Sequence, residues 1–433
     1  MTDTGRTLRP GGTPRGRVVV PGDKSLSHRS LLFAGLAPGS FTVRGLSDGD
    51  DVHATAAALR ALGVPIEREG DTARVGEGTL REPEDVIDCG NSGTSMRLLA
   101  GVLAGIDGHS VLTGDVSLRS RPMARIAEPL RRMGAGVDGR DGGRLAPLSI
   151  RGGRLQGIEH TSPVASAQVK SCLLLAGLRA EGTVVVREPH RSRDHTERML
   201  AAFGVGVDVR DDGVMMQGGQ PLVPPSDTLT VPADISAAAF FLVLAALHPE
   251  GDVTVPGVGV NPTRDGVLEA LERAGVTVER GNERIEAGEP VADLRVRGGA
   301  ELRSFEVGGA LVPRLIDEIP ILAVLAARCP DTTVFRDAAD LRAKESDRIA
   351  STVALLRAFG VAAEARPDGL LVHGRPDVPL AGGTVDAVHD HRIAMSAAVA
   401  ATLADAPARI LGDHAVDSSF PGFFPTLERC LGH

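Results

Sequence analysis

The sequence predicts an α/β (α+β) fold assembled from six copies of one supersecondary unit, and three recurrences carry that expectation. The pattern Leu-x-x-φ-Gly, with φ apolar, occurs at Leu59–Gly63, Leu130–Gly134, Leu200–Gly204, Leu271–Gly275 and Leu356–Gly360, with a degenerate copy at Glu428–Gly432. Its glycines are 71, 70, 71, 85 and 72 residues apart. Short helices that are apolar on nearly every face recur with the same period: Leu31–Ala37, Leu98–Ala104, Leu173–Leu178, Leu242–Leu247, Ile321–Ala327 and Ala398–Ala404. Most of these run through a Gly or Asp turn into a β-rich stretch: Phe41–Val43, Val111–Leu112, Thr183–Val186, Val253–Val255, Thr332–Phe335 and Arg409–Leu411. A fixed period of this length marks a repeat architecture.

Each element has a local reason. A leucine-bearing turn closed by glycine reads as a helix end, because glycine adopts the left-handed C′ conformation at least cost. Alternating β-formers follow, as in Val205, Val207, Val209 and in Val276, Val278, so a strand comes next. A helix apolar all round is buried among neighbours. Each unit of about 70 residues therefore holds two helices, one buried and one capped by glycine, with several strands.

Composition removes several function classes. The 433 residues are 42% apolar and 24% charged, ordinary for a globular protein. Glycine and proline together stay under a fifth of the chain, short of low-complexity disorder. The longest apolar runs, such as Ile235–Leu247, are too short to span a bilayer. The first residues contain no long apolar segment, so no secretory signal is expected and the cytoplasm is the default compartment. Cys89, Cys172, Cys329 and Cys430 form no close-spaced metal pair. A net charge of −9, with no Tyr, no Trp and only 11 Phe, argues against nucleic acid and anionic membranes as partners.

The unusual polar residues gather just before the six apolar helices: Pro-Gly-Asp-Lys-Ser-Leu-Ser-His-Arg (21–29), Gly-Asn-Ser-Gly-Thr-Ser-Met-Arg (90–97), Ser-Ala-Gln-Val-Lys (166–170), Pro-Ala-Asp-Ile-Ser (232–236), Ile-Asp-Glu-Ile-Pro (316–320) and Asp-His-Arg-Ile-Ala-Met (390–395). Helix N-termini attract anions. Lys24, Arg29, Arg97, Lys170 and Arg392 sit at or near these termini, where positive side chains disfavour the helix. The pattern points to a bound small molecule carrying phosphate or carboxylate groups. Taken singly, Ser25, Asn91, Thr94, Ser166 and Asp234 read as ordinary N-caps, which leaves the cations unexplained.

Two clusters lie outside that phase. Leu118–Met123 places Arg119 and Arg121 on a loop before a helix. The stretch Leu341–Arg348 reads as opening another helix, with Lys344 and Arg348 on one face and Glu345 beside them. By itself that stretch also reads as a solvated charged face.

Taken together these motifs resemble the 5-enolpyruvylshikimate-3-phosphate synthase (EPSP synthase) family. The resemblance runs from Pro21 to Phe424, through Pro-Gly-Asp-Lys-Ser (21–25), Gly-Asn-Ser-Gly-Thr (90–94), Arg-Pro-Met (121–123), Ser-Ala-Gln-Val-Lys (166–170), Arg-Asp-His-Thr-Glu (193–197), Asn-Pro-Thr-Arg (261–264), Lys-Glu-Ser-Asp-Arg (344–348) and Asp-His-Arg-Ile-Ala-Met (390–395). It implies two similar domains of three βαβαββ-like units each, about 22–231 and 1–21 plus 232–433, with crossovers near Pro21 and Pro232 and the active site in the cleft between them.

The implied reaction moves the enolpyruvyl group of phosphoenolpyruvate to the 5-hydroxyl of 3-phosphoshikimate and releases phosphate, a step towards chorismate and the aromatic amino acids. By motif match, Lys24, Ser25, Arg29, Ser166, Ala167, Gln168, Arg193, Asp317 and Lys344 would hold 3-phosphoshikimate. Lys24, Gly93, Arg121, Gln168, Arg348 and Arg392 would hold phosphoenolpyruvate. Asp317 is the expected base at the 5-hydroxyl and Glu345 the expected proton relay to the methylene carbon, with Lys24 the third catalytic candidate. The resemblance implies no cofactor and no metal, and a monomer is the expectation. His28, His195 and His391 have no metal-ligand spacing and read as hydrogen-bonding residues.

The chain departs from some relatives. Asp417-Ser418-Ser419 stands where they carry a lysine, and a ring-contacting tyrosine cannot exist here, so Arg193 is expected to serve instead. Two rivals remain at this stage. A sister transferase acting on UDP-N-acetylglucosamine would need a cysteine in the loop Ser117–Arg121, which has none, and Asn rather than Ser25 after Lys24. A non-catalytic repeat scaffold would spread its basic residues over a surface instead of gathering them at helix starts.

Overall fold

All six glycines of the repeat carry a left-handed backbone at the end of a helix. In the computed structural model, which describes residues 5–432, φ is +95° at Gly63, +109° at Gly134, +78° at Gly204, +88° at Gly275, +75° at Gly360 and +83° at Gly432. They close the helices Asp50–Ala61, Ala124–Met133, His195–Ala202, Gly266–Arg273, Arg348–Ala358 and Phe423–Leu431. The alternate helices are the buried ones: Lys24–Leu36, Gly93–Ala104, Ala167–Gly177, Ile235–Leu247, Ile319–Ala326 and His391–Thr402. Every residue of Ile235–Leu247 and of Ile319–Ala326 is buried.

Each unit also has its own small sheet. Ile87–Asp88 pairs in parallel with Gly108–Thr113, which pairs antiparallel with Leu145–Gly152 and through it with Gly136–Gly139. The same order recurs in Glu159–Thr161, Thr183–Arg187, Gly213–Gln217, Val207–Arg210, and in Glu306–Val307, Thr332–Phe335, Gly369–His373, Ala362–Arg366. In these three units βαβαββ is continuous along the chain. The other three borrow a strand. Thr228–Thr230 pairs with Phe41–Arg44, Arg15–Arg17 with Asp252–Gly259, and Arg6–Leu8 with Ala408–Leu411.

The chain divides into two compact units. One is Gly22–Pro232 together with Ile285–Glu289, at the tip of a hairpin; the other comprises the segment up to Pro21, Ala233–Arg284 and the segment from Pro290. Each has a separate apolar core. In the first, the helices Gly93–Ala104 and Ala167–Gly177 come so close that a Cβ on Gly101 would lie 2.1 Å from the Cys172 carbonyl oxygen. Glycine is required there. In the second, Phe240, Phe241, Phe420, Phe423 and Phe424 form a cluster of edge-on and tilted rings 5.5–6.1 Å apart. Among the described residues no helix is long and apolar enough to cross a membrane.

Two local expectations need correction. The helix at Lys24 is capped by Asp23, whose carboxylate accepts from the Leu26 N–H at 2.8 Å, and the helix at Gly93 by Ser92. Ser25, Asn91 and Thr94 are therefore not caps, whereas Ser166 and Asp234 are. The stretch 341–348 is not one helix. A 3-10 turn covers Ala339–Ala343, and the α-helix starts at Arg348 because Asp347 caps it by accepting from the Ala350 N–H at 3.1 Å.

Candidate active site

In the Gly22–Pro232 unit, Lys24 opens a buried helix and places Nζ 2.6 Å from Asp51 Oδ2. One turn on, Arg29 is 3% exposed. It donates from Nε to Thr196 Oγ1 at 2.7 Å, from one terminal nitrogen to the Ser25 carbonyl at 2.9 Å, and from the other to Ser171 Oγ at 2.8 Å. All three acceptors are neutral. Burial pulls the Arg29 pKa down to about 10, and half-buried Arg193 adds a like charge.

The second buried helix carries a similar group. A Cβ on Gly93 would lie 2.9 Å from a terminal nitrogen of Arg97 and 3.4 Å from one of Arg121, so a glycine here keeps both guanidinium groups open to the same small space. Arg97 donates to Gln168 Oε1 and to the Pro122 carbonyl, and Gln168 donates to Thr94 Oγ1 at 3.0 Å. Arg121 donates to Asn91 Oδ1 at 2.6 Å and to Ser117 Oγ at 3.2 Å. Among the described residues no carboxylate lies within ion-pair distance of Arg97 or Arg121. Burial, then repulsion from Arg125 and Arg121, brings the Arg97 pKa down to about 10. Concentrated positive charge on neutral acceptors is a receptor for an anion.

Beneath this surface a chain of hydroxyls runs from one nitrogen of His28, whose Nε2 has no hydrogen-bond partner among the described residues. His28 Nδ1 lies 2.7 Å from Thr55 Oγ1, which bonds Ser95 Oγ at 2.6 Å, which bonds Ser92 Oγ at 2.7 Å. Burial holds His28 neutral, with a pKa near 3. Ser166 caps its helix and Ala167 begins it.

The other unit is organised around Arg348, 1% exposed, which donates to three carboxylates: Asp390 Oδ2 at 2.8 Å, Asp317 Oδ1 at 3.0 Å and Glu345 Oε2 at 2.6 Å. Burial opposes its charge, but Glu345, Asp390 and Asp317 outweigh burial and raise its pKa. Asp317 also sits 3.2 Å from Lys344 Nζ and 3.8 Å from a terminal nitrogen of Arg264. Arg392 donates to the Asp317 carbonyl at 3.0 Å and lies 3.5 Å from Glu318 Oε1. Asp390 caps the His391–Thr402 helix, accepting from the Arg392 N–H at 3.0 Å, and accepts from Ser346 Oγ at 2.9 Å. Burial of its carboxyl is overcome by Arg348, which lowers its pKa. His391, kept neutral by burial with a pKa near 3, lies 3.3 Å from Ser418 Oγ.

The profile of the family described as EPSP synthase (3-phosphoshikimate 1-carboxyvinyltransferase) matches residues 8–427. The chain belongs to the EPSP synthase family. It is 52% identical over 432 residues to the 3-phosphoshikimate 1-carboxyvinyltransferase of Synechococcus sp. (strain JA-3-3Ab), covering 98% of this chain and 96% of that one. It is 53% identical over 424 residues to the enzyme of the same name from Anaeromyxobacter sp. (strain Fw109-5), covering 98% and 97%. A solved structure of EPSP synthase from Acinetobacter baumannii superposes with a TM-score of 0.90 at 43% identity, covering 98% and 97% of the two chains.

Of the residues singled out for the EPSP synthase resemblance, Lys24, Ser25, Arg29, Gly93, Arg121, Ser166, Ala167, Gln168 and Arg193 lie in the Gly22–Pro232 unit, and Asp317, Lys344, Glu345, Arg348 and Arg392 in the other. Lys344 and Arg348 share no helix face, yet both reach Asp317 Oδ1. Arg97 had been visible only as one of several cations near helix starts. Asp390 and Arg264 stand in the motifs without a role and Asp51 stands in none, since each acts through a partner remote in sequence.

Proposed function

We propose that this chain transfers the enolpyruvyl group of phosphoenolpyruvate to the 5-hydroxyl of 3-phosphoshikimate, giving 5-enolpyruvylshikimate 3-phosphate and inorganic phosphate. The observation that supports this most directly is the pair Arg97 and Arg121 around Gly93, left on neutral acceptors, in a chain that matches enzymes of this activity along its length.

Addition requires a proton at the methylene carbon of phosphoenolpyruvate, loss of the proton from the attacking hydroxyl, and bond formation between that oxygen and the enol carbon. Elimination from the tetrahedral adduct then removes a methyl proton and expels phosphate. On this reading Asp317 accepts the hydroxyl proton and Glu345 serves the methylene carbon, with Lys24 as a further proton donor or charge partner. Lys344, Arg348 and Arg264 fix the Asp317 carboxylate, and Arg348 fixes Glu345.

Lys24, Ser25, Arg29, Ser166, Ala167, Gln168, Arg193, Asp317 and Lys344 are assigned to 3-phosphoshikimate. Lys24, Gly93, Arg121, Gln168, Arg348 and Arg392 are assigned to phosphoenolpyruvate. Arg348 reaches that substrate only by releasing one of its three carboxylates, so its larger contribution is to aim two of them. Positive charge fixed before the substrate arrives stabilises the phosphate that leaves without reorganisation.

Phosphate release tests the reading. Release from phosphoenolpyruvate with 3-phosphoshikimate, lost in Lys24→Ala, is the expected result. Release only with UDP-N-acetylglucosamine, or with neither acceptor, overturns it.

A further inference from the structure

Among the motif residues with no place in the substrate assignments are Lys170, which ends Ser-Ala-Gln-Val-Lys, and Glu197, which ends Arg-Asp-His-Thr-Glu. They meet in the fold. Lys170 Nζ lies 2.8 Å from Glu197 Oε1 and 2.7 Å from Glu188 Oε1, with all three side chains no more than 4% exposed. It also donates to the Ser192 carbonyl at 3.4 Å, and Glu188 accepts from the Ser192 N–H at 2.9 Å and from Ser192 Oγ at 2.7 Å.

The next residue along on each helix holds Arg29. Ser171 follows Lys170, Thr196 precedes Glu197, and their hydroxyls, 2.7 Å apart, accept two of the Arg29 hydrogen bonds. Burial opposes the charge on Arg29, and Glu197 is the strongest of the charges restoring it. Between Arg187 and His195 the chain has neither helix nor strand, so the segment that carries Arg193 depends on these side-chain bonds for its course.

We propose that Lys170, Glu188 and Glu197 form a buried ionic clamp that positions Arg29 and Arg193 for the phosphorylated ring substrate. These are positioning residues, and the proposal rests on the function given above. A buried ion cluster is weak evidence of stabilisation, because desolvation offsets most of the Coulomb gain. Its worth here lies in fixing geometry: it ties the helix that starts at Ala167, the 188–194 segment and the helix that starts at His195 to one ammonium group.

The test is Glu197→Gln, which keeps the shape and removes the charge, with wild type and Lys170→Arg beside it. The expected result is a rise of about tenfold in KM for 3-phosphoshikimate, the size of one charge-assisted hydrogen bond. KM for phosphoenolpyruvate should move far less, and Lys170→Arg, which retains the charge, should stay near wild type. Trypsin should cut faster after Arg191 in Glu197→Gln. If Glu197→Gln does not fold, Ser192→Ala, which removes one hydroxyl from Glu188, should give the same split at smaller size. A lowered thermal midpoint with both KM values unchanged overturns the clamp. Wild type that turns over no 3-phosphoshikimate overturns the function instead; the trypsin readout then decides the clamp, and unchanged cutting after Arg191 refutes it.

Discussion

In the Gly22–Pro232 unit, Arg97 and Arg121 rest on amide, carbonyl and hydroxyl oxygens. In the other unit, Arg348 rests on three carboxylates. The two arrangements use the same guanidinium group for opposite ends. Positive charge without a counter-charge is available to a ligand. Positive charge saturated by carboxylates is not, and instead holds those carboxylates at fixed positions, where they can move protons. On the reading proposed above, binding and proton transfer are separated by how each arginine is compensated, a distinction that a count of arginines would miss.

The largest effect should come from removing a held carboxylate. Asp317→Asn should lower kcat by about 10²–10⁴-fold, the usual worth of a positioned base, and steady-state phosphate release measures it. A smaller loss would mean that another group takes the hydroxyl proton. The comparison itself is at stake in the pair Arg348→Gln and Arg97→Gln. The first strips a shared buried cation from three carboxylates, of which Asp317 keeps Lys344 and Arg264, and should lose about 3–5 kcal/mol of stability. The second orphans none, so its urea midpoint should stay near wild type while KM for phosphoenolpyruvate rises about 10–100-fold, as for loss of a charged hydrogen bond. Equal destabilisation of both variants would erase the distinction.

Inorganic phosphate offers a gentler probe. It should raise the thermal midpoint of wild type and leave Arg97→Gln unmoved, because mass action stabilises only a folded state that binds the ion. A shift of the same size in both would place the ion elsewhere.

A last contrast concerns what the two regions share, a buried neutral imidazole: His28 in one and His391 in the other, each with a folded pKa near 3. The unfolded chain binds these protons below about pH 6.5 and the folded chain does not. Stability contributed by neutral burial is therefore present above pH 6.5 and lost as pH falls towards 3, at about 1.4 kcal/mol per pH unit for each histidine. Urea midpoints from pH 7 to pH 4 should fall less steeply in His28→Gln than in wild type. Parallel curves would show that His28 is protonated in the fold.

Much of the fold was legible because a repeat writes itself six times. The glycines at 63, 134, 204, 275, 360 and 432 needed only a helix end and a left-handed turn, which are local events. Non-local pairing was not legible. Nothing near Phe41 announces that Thr228–Thr230 will be its parallel neighbour. Caps were misplaced by one or two residues, since Asp23 and Ser92 outcompete Ser25, Asn91 and Thr94 for the first free N–H groups. Lys344 and Arg348 were read as one helix face; Asp347 starts the helix later, and the extended backbone at Lys344, φ −86° and ψ −154°, brings both cations to Asp317 by another route. Glu188 left no trace in the motifs because its ionic partner, Lys170, lies on another element.

The borrowed strands give the two units different histories on the ribosome. Gly22–Pro232 supplies its own closing strand at Thr228–Thr230, so its three four-stranded sheets can pair once about half of the nascent chain has emerged. The other unit must keep Arg6–Leu8 unpaired until Ala408–Leu411 is synthesised. At usual elongation rates that wait lasts roughly 20–80 s. An edge strand exposed for so long is a hazard for wrong pairing. Its arginine-rich sequence, Arg6 and Arg9 around a single leucine, is a form of protection, and protease pulses on stalled chains would date the moment that the strand is captured.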